Sequence, residues 1–156
     1  PVRMAARAGL EMIMSAHVVV RALAPEIPAT LARPIMTDLL RHDLGFRGVL
    51  VSDDLEMRAV ADRYPLAECA VAAVAAGCDA LLVCSDEDLA ETALGGLARE
   101  IEASAAFADR CREAAARMRA LRRRASTLHA SRAHAAPSIA DVVLEIEQAE
   151  RAAGIA

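Results

Sequence analysis

Gly48-Val49-Leu50-Val51-Ser52-Asp53-Asp54-Leu55 decides how the rest of the chain reads. A short apolar run opened by glycine and closed by serine and two adjacent carboxylates has the form of a buried β-strand that delivers acids at its carboxyl end. Leu55-Glu56-Met57-Arg58-Ala59-Val60 then predicts the start of a helix, with Ser52 or either aspartate available to cap it. On spacing alone two readings stand. The acids are capping groups favoured by the helix dipole, the commoner arrangement at such a junction, or one of them is a catalytic carboxylate.

The same unit recurs on both sides of this stretch. Ile13-Met14-Ser15, Leu50-Val51-Ser52 and Val83-Cys84-Ser85 are apolar runs closed by a serine, spaced 37 and 33 residues apart from Ser15 to Ser52 to Ser85. A loop and a helical pattern follow each, and strand–helix repeats of this period predict parallel strands. Three units cannot close a (β/α)8 barrel, which needs roughly 250 residues. A small doubly wound sheet competes, although it would usually carry more strands in a chain this long.

Punctuation marks the elements between. Pro1 to Gly9 predicts the last turns of a helix, stopped by Gly9, and Met12 to His17 a strand. Pro25 and Pro28 keep the next stretch irregular. Thr30 is placed to cap a helix with Pro34 in its first turn, running to about His42, with Gly45 as its end. The helix after the central strand is broken near Tyr64-Pro65, resumes from Leu66 to Ala76 and stops at Gly77, and Ala80 to Cys84 is the third strand. Ser85-Asp86-Glu87-Asp88 imitates a capping box before a helix from Leu89 to about Leu94, with Gly95-Gly96 as an interruption. An amphipathic helix follows from about Leu97, then a polar connector from Ser126 to Pro137 and a last helix from Ile139 to Ala153.

Composition narrows the function. With 156 residues, 56% hydrophobic and 26% charged, the chain suits one globular core. Having no Trp, one Tyr and two Phe, it offers few stacking platforms, and its net charge of −4 supplies no overall field for phosphates, so a nucleic-acid partner is not expected. Arg117 to Arg124 holds five arginines and reads as a solvated helix face rather than a nucleic-acid patch. Cys69, Cys78, Cys84 and Cys111 lack CxxC spacing and histidines to complete a zinc site, so no metal is expected. Buried, reduced thiols in a cytoplasmic setting are the simpler reading. No apolar stretch reaches membrane-spanning length.

Pro28-Ala29-Thr30-Leu31, Leu40-Arg41, Leu44-Gly45-Phe46-Arg47-Gly48-Val49 and Ser52-Asp53-Asp54-Leu55-Glu56-Met57, with Met14-Ser15-Ala16-His17 upstream, form an ordered set of blocks. The set resembles the C-terminal part of the barrel of family 3 glycoside hydrolases, in particular its NagZ-like bacterial β-N-acetylglucosaminidase branch. The resemblance spans about residues 1–125 and implies an α/β fold: a partial (β/α)8 TIM barrel of the last three βα units, strands six to eight, to which the residue pattern adds a linker and helical C-terminal tail over residues 126–156.

The resemblance also implies chemistry. The aspartate after the serine at the end of barrel strand seven is the family's nucleophile, which maps onto Asp53. Asp54 stands where the β-glucosidase branch usually has Trp, and His17 resembles a substrate-pocket residue, with a plain loop histidine as the alternative. Met57 either lines the pocket or, as a methionine at a helix start more often does, fills the core. Retaining glycosidases attack the anomeric carbon with an ionised carboxylate while a second group protonates the leaving oxygen, and no cofactor is needed.

The family's Lys-His-Phe-Pro-Gly-His-Gly segment and Asp-Ser-His acid/base loop do not occur in this sequence. The expectation is therefore one part of a glycosidase that removes GlcNAc from peptidoglycan fragments, inactive by itself. A β-glucosidase, a phosphorolytic enzyme of the same family and a non-catalytic α/β interaction module are the alternatives.

Overall fold

The computed structural model describes residues 2–132 together with residue 148. The helix expected from Ile139 to Ala153 lies outside the described residues apart from Gln148, which is helical. Chain contacts separate Pro1–Leu121 from Arg122–Ala156, and the packing below concerns the first unit.

Three parallel strands form its centre: β1 (Met12–Met14), β2 (Val49–Asp54) and β3 (Ala80–Leu82), in the order β1-β2-β3. Helix α1 (Val2–Arg7) precedes β1, and a 3-10 turn (Ala29–Leu31) and a π-helix (Pro34–Asp43) lie between β1 and β2. Between β2 and β3 come α2 (Arg58–Ala61) and α3 (Leu66–Ala76), and after β3 come α4 (Glu87–Ala103) and α5 (Ala105–Arg132). β2 is flanked on both edges, so its first four residues are buried and almost uniformly apolar. Around it Met36, Phe46, Leu50, Leu55 and Val60 are all at most 1% exposed and form the core with the small residues of α3. Full burial of each large side chain stabilises the fold by roughly 1.5–3 kcal/mol.

Register explains how β2 ends. Met12 to Met14 pair one-for-one with Val49 to Val51, but Val51 pairs with Ala80 and Asp54 with Leu82, so β2 carries one extra residue in that interval. The buried Ser52 hydroxyl accepts the Leu82 N–H at 2.9 Å there, replacing a ladder bond. The serine that looked like the end of the strand is thus inside it.

Several expectations are corrected. No helix begins at Leu55: its N–H donates to the Leu82 carbonyl at 3.0 Å, and α2 starts at Arg58 with Met57 as a cap position that makes no side-chain bond. Neither aspartate nor Ser52 caps α2. Thr30 does not cap the next helix; it is fully buried, and its hydroxyl pairs with that of Ser15 at 2.8 Å. That helix is π-wound rather than α-wound, with Leu44 N–H closing onto the Leu39 carbonyl, and its buried Ile35 and Leu40 recur at five residues.

α4 runs unbroken through Gly95-Gly96, capped by Asp86, whose carboxylate accepts the Asp88 N–H at 2.9 Å. Glycine is needed at 96 for another reason: a Cβ there would stand 2.8 Å from the Cβ and the carbonyl oxygen of Ala67 on α3. Gly77 stops α3 as expected, at φ +136°. α5 continues to Arg132 through the first residues of the expected connector, where the Ser126 and Thr127 hydroxyls bond back to the Arg122 and Arg123 carbonyls.

Apolar exposure concentrates beside β1, at Met12, Met14, Val18, Val19, Val20 and Leu23. Among the described residues no helix is long and apolar enough to cross a membrane, and no cluster of His, Cys, Asp and Glu could hold a metal ion.

Candidate active site

Because the strands are parallel, their carboxyl ends share one edge of the sheet. Ser15 follows β1, Asp53 and Asp54 end β2, and Cys84 and Ser85 follow β3. Catalytic groups gather at this edge in α/β enzymes. The bulge between Val51 and Asp54 sits under Asp53, where such irregularities re-aim a side chain.

Asp53 is half-buried. Its Oδ1 accepts the Asp54 N–H at 3.0 Å, while its Oδ2 has no hydrogen-bond partner among the described residues. Asp54 works as a junction: Oδ1 accepts the Glu56 N–H at 3.1 Å, and its carbonyl accepts both the Met57 N–H at 3.1 Å and His17 Nε2–H at 2.9 Å. A carbonyl only accepts, so Nε2 carries the ring proton of neutral His17 and Nδ1 is left as an acceptor. That Nδ1 is buried and has no partner among the described residues.

The structure therefore brings His17, Asp53 and Asp54 together at one strand end. Met57 is beside them in sequence but 46% exposed, so the core reading of this methionine is corrected. Its exposure follows from α2 starting only at Arg58, which leaves Met57 on extended backbone outside the helix.

Glu56 was not singled out from the sequence, yet it ties two of the three strand ends together. Its carboxylate accepts the Cys84 N–H at 2.5 Å, the Ser85 N–H at 2.8 Å and the Ser85 hydroxyl. The Ser85 hydroxyl above all, then the Ser85 and Cys84 amides, hold this carboxyl below its usual range despite some desolvation. Ser85 is thus engaged with Glu56 rather than capping α4. Cys84, expected within a strand, is exposed beyond it, and desolvation followed by the negative charge of Asp54 and Glu56 pushes its thiol up. Burial pushes Cys69 and Cys78 up to about 11 and about 12, as inert core thiols.

A second polar cluster sits at the opposite end of the sheet. Asp79, just before β3, has no exposed side-chain surface. Oδ2 accepts from Arg41 at 2.5 Å and from Leu50 N–H at 3.0 Å; Oδ1 accepts from Arg110 at 2.6 Å and from Arg117 at 3.1 Å. Arg41 also reaches the Gly48 and Phe46 carbonyls, and Arg110 those of Gly77 and Cys78. Arg117, expected on a solvated face, turns inward instead, while Arg119, Arg122 and Arg123 remain exposed. At the amino end of the strands such a cluster holds the fold rather than performs chemistry.

Comparison with known proteins matches residues 1–121 to the glycosyl hydrolase family 3 N terminal domain. The domain matched is thus the one described as N-terminal, which corrects the expectation of a C-terminal part insofar as it concerns a whole family protein. A beta-hexosaminidase of Nitrosomonas eutropha is 40% identical over 103 residues, which are 66% of this chain and 29% of that protein. A family 3 beta-N-acetylglucosaminidase structure from Paenibacillus superposes with a TM-score of 0.74 at 37% identity, over 78% of this chain and 23% of the other. A beta-N-acetylhexosaminidase structure from Beutenbergia cavernae gives 0.72 at 32% identity, over 76% and 35%. The chain spans under a third of the length of the Nitrosomonas relative. Its three parallel strands and their helices match part of the barrel domain of these structures.

Proposed function

The chain belongs to glycosyl hydrolase family 3, and from that membership we propose that it is the nucleophile-bearing part of a retaining β-N-acetylglucosaminidase barrel, corresponding to barrel strands six to eight. Asp53 is the nucleophile. The observation that carries this reading is its position: a half-buried carboxylate at the carboxyl end of the central parallel strand, with one oxygen oriented by the Asp54 N–H and the other unengaged. The unengaged oxygen attacks the anomeric carbon, a covalent glycosyl-enzyme forms as the aglycone oxygen leaves with a proton, and water then opens the intermediate.

The proton donor is a group of the barrel that this sequence does not contain. The 156 residues alone are therefore inactive, and turnover belongs to the complete domain. His17 Nδ1 is a buried acceptor with no partner among the described residues, and a sugar hydroxyl or acetamido N–H supplies the missing donor when substrate is bound. Asp54 shapes the same end of the site, and Met57 lies at its rim. Beta-hexosaminidase relatives support a GlcNAc-terminated glycoside as substrate; peptidoglycan fragments in the cytoplasm are its proposed natural source. The four free thiols fit that compartment.

The test uses the complete domain with an aryl N-acetyl-β-glucosaminide and an aryl β-glucoside. The N-acetyl substrate is expected to be strongly preferred, and Asp53→Ala to reduce turnover by roughly a thousandfold or more. Equal or glucoside-preferring turnover overturns the substrate assignment; full activity in Asp53→Ala overturns the nucleophile; phosphate-dependent turnover makes the enzyme a phosphorylase.

A further inference from the structure

A cavity of about 240 Å³ opens at the end of the sheet away from Asp53, between the π-helix, the end of α3 and α5. The side chains of Arg33, Arg41, Arg47, Arg110 and Arg117 all line it, with Glu113. Among the described residues, carboxylates do not balance these guanidinium groups. Asp79 is already shared by Arg41, Arg110 and Arg117, and Glu113 by Arg110 and Arg117. Arg33 has only a loose 3.9 Å contact with Asp38, itself half exposed, and Arg47 has no ion-pair partner among the described residues.

The surplus is felt inside the cluster. Arg41 is held below its usual range by burial first, and repulsion from Arg117 and Arg110 adds to the shift against the attraction of Asp79. Mutually repelling cations around an open cavity are relieved by an anion, and guanidinium forks match the oxygens of a phosphoryl group in paired hydrogen bonds. The cavity is smaller than a typical small-molecule pocket, so one oxyanion and a short substituent fill it.

We propose that this cavity is an anion site that takes a phosphate group, free or as a small phosphate monoester, gripped by Arg33 and Arg47 at its mouth and by Arg117 at its wall. It is separate from the glycosidase site: Arg41 reaches the carbonyl of Gly48 at the start of β2, and Asp53 lies about 16 Å along that strand. The proposal therefore stands whether or not Asp53 is the nucleophile. Phosphate bound here bridges α5 to the π-helix, the two elements whose arginines hold Asp79.

Equilibrium dialysis of radiolabelled inorganic phosphate against the whole 156-residue chain, at ionic strength held constant with chloride, tests it. One saturable site is expected, with glucose 6-phosphate competing if the ligand is a monoester and failing to compete if only free phosphate fits. Arg33 and Arg47 are exposed, so the Arg33→Gln/Arg47→Gln double variant keeps the fold, and it is expected to weaken binding at least about tenfold. Asp53→Ala is expected to bind as the unaltered chain does. Absence of saturable binding by about 10 mM phosphate, undiminished binding in the double variant, or loss of binding in Asp53→Ala would each overturn the proposal.

Discussion

His17 and Asp54 meet across 37 residues of sequence, the ring Nε2–H donating to the Asp54 carbonyl at 2.9 Å. The bond ties the loop after β1 to the end of β2, one residue from Asp53. It fixes the tautomer of the neutral ring and leaves Nδ1 as a buried acceptor with no partner among the described residues. A buried polar atom in that condition is costly unless water or a bound group supplies a partner.

His17→Ala removes the tether and the acceptor together. In the complete domain kcat/KM on an aryl N-acetyl-β-glucosaminide is expected to fall roughly ten- to hundredfold, since small displacements of a reacting group carry losses of that size. The fold is expected to lose only about 1 kcal/mol, because Met57 N–H still satisfies the Asp54 carbonyl. Steady-state kinetics beside urea unfolding separates the two effects. An unchanged kcat/KM removes His17 from the site.

Glu56 makes the junction of the β2 and β3 ends dependent on pH. Its folded pKa lies below the ordinary value of 4.5 because the ionised carboxylate accepts from Ser85 and Cys84. A group with a depressed folded pKa contributes its stabilisation above the unfolded pKa and loses it as pH falls through the folded one. Exchange of the Cys84 and Ser85 amides, corrected for intrinsic rates, is expected to be slow above pH 4.5 and to accelerate progressively on acidification below it. Glu56→Gln is expected to exchange quickly at neutral pH as well. Protection independent of pH, or preserved in the variant, counts against the clamp.

What was legible in the sequence was what local chemistry determines. Gly48 to Asp54 reads as a strand because its apolar run and its punctuation are contiguous, and Tyr64-Pro65 and Gly77 bound α3 through dihedral preferences that act on near neighbours. The Ser15, Ser52 and Ser85 repeat was visible for the same reason and led to the parallel sheet. The misread positions depend on distant partners. Thr30 resembles a cap until Ser15 is packed against it, and Arg117 resembles a solvated charge until Asp79 is found beneath it. Asp79 left one faint trace, an acid directly before an apolar strand, that a search for isolated buried charges would have caught.

Gly95 and Gly96 show how a neighbouring helix reverses the meaning of a residue. Both were expected to interrupt, and α4 passes through both. A Cβ at 96 would meet the Cβ and carbonyl of Ala67 at 2.8 Å, whereas one at 95 meets only the flexible tip of Arg99 at 3.4 Å. Gly96→Ala is expected to destabilise by about 1–2 kcal/mol, overpacking exceeding the gain in helix propensity. Gly95→Ala is expected to stabilise by up to about 1 kcal/mol. Urea midpoints that move in the same direction for the two variants would show that α3 and α4 are not so closely packed.

Asp79 carries the largest expected loss. Its carboxylate has no exposed surface and receives three guanidinium groups and the Leu50 N–H, joining the π-helix, β2 and α5 at one point. Burying such a pair is not in itself strongly favourable, because desolvation offsets the attraction. Removing the anion alone is different, for it leaves nearly buried Arg41 with backbone carbonyls but no carboxylate, and Arg110 with backbone carbonyls and only the half-exposed Glu113 as its carboxylate. Asp79→Ala is therefore expected to destabilise the chain by about 3–5 kcal/mol. Arg117→Ala should cost far less, about 1 kcal/mol, since Arg117 is 23% exposed in its side chain, sits 3.1 Å from Oδ1 and leaves Asp79 with two other arginines. Urea unfolding of the two variants decides it, and equal losses would mean that Arg117, not the buried carboxylate, holds the cluster together.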